Sequence, residues 1–169
     1  MAGRIYRINI KSNTPGQRGL PKRSVESALV TRMGVGRDFN RHRHEKKGDD
    51  PDMALLLLSL ETIQELNEEG WPIQPGDIGE NITTVGIPYD SFTTGKKYRL
   101  GAAEIQISQR CDPCRNLYLL PYVGDEKGPN FLKTMLGRRG WYARVLTEGQ
   151  IRERDIIDEV AGESHHNGE

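Results

Sequence analysis

Residues 105–117 read IQISQRCDPCRNL, and Glu104 in front of them completes the alternation EIQIS. Ile105 and Ile107 alternate with polar neighbours, the period-2 pattern of a strand with one buried face. Just upstream, Lys97–Leu100 is a second short strand. Gly101 supplies the turn, so a hairpin over 97–108 is predicted. The strand runs straight into Cys111-Asp112-Pro113-Cys114, which holds both cysteines of the chain and is flanked by Arg110 and Arg115. A turn of this kind holds a thiolate in one place, and the neighbouring arginines favour the anion.

The same short-strand signature recurs outward from this hairpin. RIYRINIK (4–11) opens the chain as a strand, and the Gly, Pro and Asn of 12–21 make a loop. VESALV (25–30) is read as one further strand, with a short helix as the alternative. MALLLL (53–58) is a buried central strand bounded by breakers. Ser59 then caps a helix in which Leu60, Ile63 and Leu66 keep helical spacing and Gly70 is the stop. NITTVGI (81–87) is another short strand, and LYLLPYVG (117–124) another apolar segment. Residues 129–136 are predicted as a helix with Pro129 at its start and Gly137 at its end. WYARVL (141–146) is a strand, and a turn around Gly149 leads to a last strand around Ile156 and Ile157. No repeat and no alternating βαβ pattern is present. The fold class is therefore mainly β (β-rich α+β), a barrel with a few short helices. Residues 1–160 are read as one domain and 161–169 as a disordered polar tail, where His165 and His166 are accidental.

Composition narrows the function classes. The 24 basic and 24 acidic residues cancel, so no global field draws the chain to nucleic acid or membrane. The longest apolar run, 53–58, is far short of the roughly 20 residues of a spanning helix. MAGRIYRINIK has no apolar core of a secretory signal, and we read the protein as cytoplasmic. Thiols stay reduced there, so Cys111 and Cys114 point to chemistry or metal ligation rather than a disulfide.

Two basic stretches are candidate anion sites. Lys11, Arg18, Lys22 and Arg23 surround the first loop, either as a solvated surface or as a clamp for a phosphorylated ligand. GVGRDFNRHRH (34–44) follows, in which Arg37 and Asp38 are placed to pair. Its GxG is no dinucleotide fingerprint, because no apolar helix follows. His42 and His44 share one face if the segment is extended, and with Cys111 and Cys114 would complete a Cys2His2 zinc site of unusual spacing. The charged stretch after them, 45–52, is read as a loop. Gly79-Glu80-Asn81, at a strand mouth, either braces its loop or faces a ligand.

In order, GLPKRSV (19–25), GVGRDFNRHRH, IQPGDIGENITTVGI (73–87) and CDPCRNL (111–117) resemble the MOSC domain, named after the C-terminal domain of molybdenum cofactor sulfurase. The likeness covers roughly residues 4–120, and GENIT and the Pro-Cys turn are its most specific parts. Where small members carry a His-His-Gly-Gly-like element, this chain has RHRHEKKGDDPDM. The resemblance implies a β-barrel that binds the molybdenum-pterin cofactor. It makes Cys114 the catalytic residue and metal ligand, with Cys111 as the alternative. It further implies that Lys11, Lys22, Arg23, Arg32, Arg37 and Arg110 meet the cofactor, the cations serving its phosphate, and that Asn81 and Thr83 hydrogen-bond it. Thiolate is a soft ligand suited to a metal already held by sulfur.

Relatives with this domain remove oxygen from N-hydroxylated compounds. The implied function is thus a reductase acting on a small molecule. Two cysteines are too few for an iron–sulfur cluster, and no flavin or nicotinamide fingerprint is present. Electrons would come from separate donor proteins. Two other classes stay open: a sulfur carrier with a persulfide on Cys114 that serves cofactor maturation proteins, and a binding module without catalysis. A plain buried cysteine pair is a further reading, and a thioredoxin-like dithiol is disfavoured because no βαβ unit surrounds it.

Overall fold

The computed structural model describes residues 3–162, apart from the side chains of Arg41 and His42. Its strands are β1 (Gly3–Ile10), β2 (Arg23–Val25), β3 (Ser27–Thr31), β4 (Gly34–Val35), β5 (Leu55–Ser59), β6 (Ile82–Val85), β7 (Lys97–Leu100), β8 (Ala103–Arg110), β9 (Trp141–Thr147), β10 (Gly149–Arg152) and β11 (Ile156–Val160). The helices are α1 (Arg41–Lys47), α2 (Leu60–Glu68) and α3 (Gly124–Met135). Seven strands pair in the order β11-β7-β8-β9-β5-β6-β1, and β11 returns to β1 through Gly3–Ile157 and Arg4–Ile156. The sheet is a closed barrel, as the run of short strands predicts. Closure leaves no free edge along the seven strands.

Strand β5 shows why the leucine run is continuous. Leu55 and Leu57 point into the barrel core, Leu58 packs under the helices, and Leu56 joins Met53, Cys111 and Tyr142 in a third cluster. A strand buried on both faces has no polar alternation. Its neighbour β6 runs parallel to it, with Leu57 opposite Ile82, and α2 makes the crossover. Ser59 caps α2 by accepting from the Thr62 amide, as the sequence predicts. β8 keeps the alternation of its sequence, and its pairing with β9 shifts register between Glu104 and Ile105 and again between Ile107 and Gln109. That bulge re-aims the strand just before the cysteines.

Four details differ from the sequence reading. VESALV breaks at Glu26 into β2, which extends the barrel sheet, and β3, which lies in a small second sheet ordered β10-β3-β4. Strand β10 exists through its pairing with β3, from Gly149–Val30 to Arg152–Ser27, a long-range partner that local pattern does not reveal. The charged stretch 45–52 is not loop throughout, because its first three residues complete the helix α1. Asn40 caps it, Gly48 ends it in the left-handed region, and Lys46 and Lys47 suit the negative end of its dipole. Helix α3 begins at Gly124 rather than Pro129, which sits inside it, and Asp125 and Glu126 favour its first turn. The apolar pattern starts only at Phe131, so the polar opening escaped notice.

Among the described residues no helix is long and apolar enough to cross a membrane. Residues 163–169, including His165 and His166, lie outside the described residues.

The turn 74–79 is tied to the first loop at Gly76, whose carbonyl accepts the Lys22 amide at 2.9 Å. Gly76 has φ +88°, and a Cβ there would lie 2.5 Å from the Lys22 carbonyl oxygen. Gly70 has φ +99° with open space around it. Gly76→Ala should therefore cost about 2 kcal/mol or more, the sum of strain and collision, whereas Gly70→Ala should cost only about 1 kcal/mol of strain. Urea midpoints of the two variants measure the difference; equal losses would mean that the Lys22 backbone gives way freely.

Candidate functional site

The Cys111–Cys114 turn forms one wall of a cavity of about 750 Å³. The bulge at the end of β8 delivers it there. The Cys111 amide bonds the Gly140 carbonyl at 2.9 Å, and the Cys114 carbonyl accepts from Leu117 as the chain enters a 3-10 turn over Arg115–Leu119. Cys111 is buried and Cys114 half-buried, and both thiols are free. Leu56 and Tyr142 from β5 and β9, with Met53, Phe39 and Leu119, give the cavity an apolar floor.

Cations crowd the rest of the wall. Arg18, Lys22, Lys47, Arg110 and Arg139 line the cavity against one carboxylate, Asp112. A chain with no net charge thus concentrates positive charge at one concave place, where low-dielectric walls strengthen its field. Lys22 is held rigidly, since its ammonium donates to Asp38 at 2.7 Å and both side chains are nearly fully buried. Asp38 also accepts the Lys11 amide at 2.8 Å and the Asn81 side-chain amide at 2.9 Å. Asp38 therefore pairs with Lys22 and not with Arg37.

The two resemblance-derived polar residues are spent on bracing. Asn81 accepts from the Leu56 amide at 3.0 Å and donates to the Asn9 carbonyl and to Asp38. The Thr83 hydroxyl accepts from Asn9 and donates to Glu80 at 3.0 Å. Of the sequence-derived candidates, the fold brings Lys22, Arg110, Cys111 and Cys114 to the cavity. It does not bring Lys11, Arg23, Arg32, Arg37, Asn81 or Thr83 there. Lys11 bonds Gln17 on the outer side of the loop. Arg32 donates to the Leu146 carbonyl beside the small sheet, and Arg23 and Arg37 are exposed. The Arg110 guanidinium lies 5.0 Å from the Trp141 ring, and that of Arg115 lies 5.5 Å from Tyr118.

His44 pairs with Asp49 at 3.0 Å and packs on Phe39. Among the described residues no three His, Cys, Asp or Glu side chains gather as a metal site. The His42 part of the zinc reading lies outside the described residues.

Sequence reasoning missed Asp38 as the partner of Lys22, and also Lys47, Tyr142 and Arg139, whereas Glu80 braces its loop through the Gly76 amide and Thr83, one of the two roles the sequence offered. The doublet Arg138-Arg139 before a buried strand was the visible signal. Arg138 makes a two-pronged pair with Glu69 at the surface, whereas Arg139 turns inward. Nothing in the doublet itself says which does which.

Burial dominates the protonation of the two acids behind the cavity. The Tyr142 phenol is pushed up by burial and then by the adjacent Cys111, so it is protonated at neutral pH. Glu80 is fully buried, which pushes its carboxyl up despite hydrogen bonds from the Gly76 amide and Thr83 and the charge on Arg139. An acid whose folded pKa lies above its ordinary value of 4.5 holds its proton more tightly in the native state. That contribution to stability is present at low pH and is lost as pH rises from 4.5 through the folded value. Glu80→Gln should flatten the decline when urea midpoints are compared upward from pH 4.5. An unchanged slope would assign the titration to another group.

A closed barrel with a thiol in a cation-lined cavity has the chemistry to meet an anionic group and a thiolate-binding metal together. The MOSC domain family matches residues 40–158, and the chain belongs to that family, which is associated with the molybdenum cofactor. Protein YiiM of Escherichia coli (strain K12) is 28% identical over 153 residues, covering 87% of this chain and 66% of that protein. The uncharacterized protein YflK of Bacillus subtilis (strain 168) is 28% identical over 144 residues, covering 79% and 59%. The chain thus spans less than two thirds of the length of these relatives. The crystal structure of YiiM from Geobacillus stearothermophilus superposes with a TM-score of 0.72 at 26% identity, over 94% of this chain and 75% of that one.

Proposed function

We propose that the cavity holds the molybdenum-pterin cofactor and that the protein reduces N-hydroxylated small molecules. The observation that carries this is Cys114 standing in the same cavity as five cationic side chains. The donor set fits the group, because a soft thiolate suits the metal and the loop cations suit a phosphate. Cys114 would ligate the metal. Lys22, fixed by Asp38, and Arg18 and Lys47 would hold the phosphate.

When bound, the cofactor supplies two-electron redox chemistry. This chain does the rest. Met53, Leu56, Phe39 and Leu119 exclude water from the floor. The buried Tyr142 phenol keeps its proton and presents a donor beside the thiols. Overall, an N–OH group, two electrons and two protons give N–H and water. The electrons come from separate donor proteins.

The test is elemental analysis of protein purified from a host that makes the cofactor, followed by assay on an amidoxime with a chemical reductant. About one molybdenum per chain and amidoxime consumption are expected. Cyanide-labile sulfur on Cys114 without molybdenum would assign sulfur transfer instead, and stoichiometric zinc would replace both.

A further inference from the structure

Arg139 is 7% exposed and lines the cavity, yet its Nε and Nη1 are buried with no hydrogen-bond partner among the described residues. Glu80, whose carboxyl feels the Arg139 charge, is wholly buried and has one carboxyl oxygen equally without a partner. A buried guanidinium with unmade hydrogen bonds is costly, and such groups are normally satisfied by protein, water or ligand. Its surroundings are specific. Arg139 acts on the Tyr142 phenol together with Cys111 and Cys114, and on the Tyr89 phenol together with Arg110 and Cys111. Arg139 also directly precedes Gly140, whose carbonyl accepts the Cys111 amide at 2.9 Å, so it stands at the thiol end of the cavity. Gly79 lies beside it, since a Cβ there would stand in ordinary contact with Nη2 at 3.7 Å.

We propose that Arg139 is the receptor for a pair of anionic oxygens at the thiol end of the cavity, and that these belong to a carboxylate on the substrate. The planar fork of a guanidinium matches two coplanar oxygens. Phosphate already has cations of its own in Arg18 and Lys22 of the first loop and in Lys47. Arg139 thus favours small molecules that carry a carboxylate near the reacting nitrogen. Assigning the anion to a substrate rests on the function proposed above; the anion site itself does not.

The test uses the whole chain without cofactor. Arginine Nε–H resonances are followed by NMR during titration with benzoate and, separately, with inorganic phosphate. The Arg139 resonance is identified by its loss in Arg139→Lys. We expect it to shift saturably with millimolar benzoate, and Arg139→Gln to weaken benzoate at least tenfold. An unmoved resonance, or equal affinity in Arg139→Gln, overturns the site. A response to phosphate alone overturns the carboxylate assignment. Molybdenum content of Arg139→Lys, loaded in a cofactor-producing host, should match the unsubstituted protein, and its loss would make Arg139 part of the cofactor seat instead. If the unsubstituted protein holds no molybdenum, the proposed function fails while the benzoate titration still decides the anion site. The titration of unsubstituted protein stands even if the glutamine variant does not fold.

Discussion

Asp38→Ala is expected to destabilise the protein by about 3–5 kcal/mol, because it leaves the Lys22 ammonium buried and unpaired. The Lys22–Asp38 contact is 2.7 Å with side-chain exposures of 4% and 7%, so little water remains to take over either charge. The substitution also strands the Lys11 amide and the Asn81 side-chain amide, which both donate to Asp38. For a domain whose whole stability is on the order of 5–15 kcal/mol, that is a large share. Lys22→Met should cost less, since the Asp38 carboxylate keeps those two donors. The double variant should not recover fully, because the two amides still lack an acceptor. Urea unfolding of the three variants gives the comparison. A loss under about 1 kcal/mol in Asp38→Ala would mean that the ammonium swings into the cavity and finds water there.

Cys114→Ala should abolish molybdenum retention and leave the fold intact. Cys114 is half-buried at the cavity wall, in a turn held by backbone bonds that involve Cys111, Gly140 and Leu117 rather than its own thiol. Removing the sulfur therefore removes the proposed ligand without removing a structural contact. Cys111→Ala should behave in the opposite way. Cys111 packs with Met53, Leu56 and Tyr142, so its loss should lower stability by about 1 kcal/mol and spare metal content. Molybdenum analysis beside thermal unfolding of both variants separates the roles. Full molybdenum in Cys114→Ala would remove the thiolate from the proposal, and loss in Cys111→Ala alone would move the ligand three residues upstream.

Much of this barrel was legible along the chain. Alternation in EIQIS, the Ser59 cap and the Gly70 stop are local features, and local sequence states them. The two-sided burial of β5 was also visible, as an unbroken leucine run. The missed elements each depend on a distant partner. β10 is a strand because β3 lies beside it, and Glu26 marks a break because the residues on its two sides join different sheets.

The site divides in the same way. The sequence by itself determined that two cysteines sit in a tight turn after a strand, between arginines, and that basic residues gather in the first loop. It could not choose among those cations, because charge type does not say where a long side chain ends. Tertiary structure turned Lys22 inward against Asp38, sent Arg32 to the small sheet, and used Asn81 and Thr83 as braces. It also split the Arg138-Arg139 doublet, one arginine to Glu69 and one to the cavity. The physical reason is closure: once the barrel closes, buried polar groups must find partners across long sequence distances, and those pairings decide which charges remain free to meet a ligand.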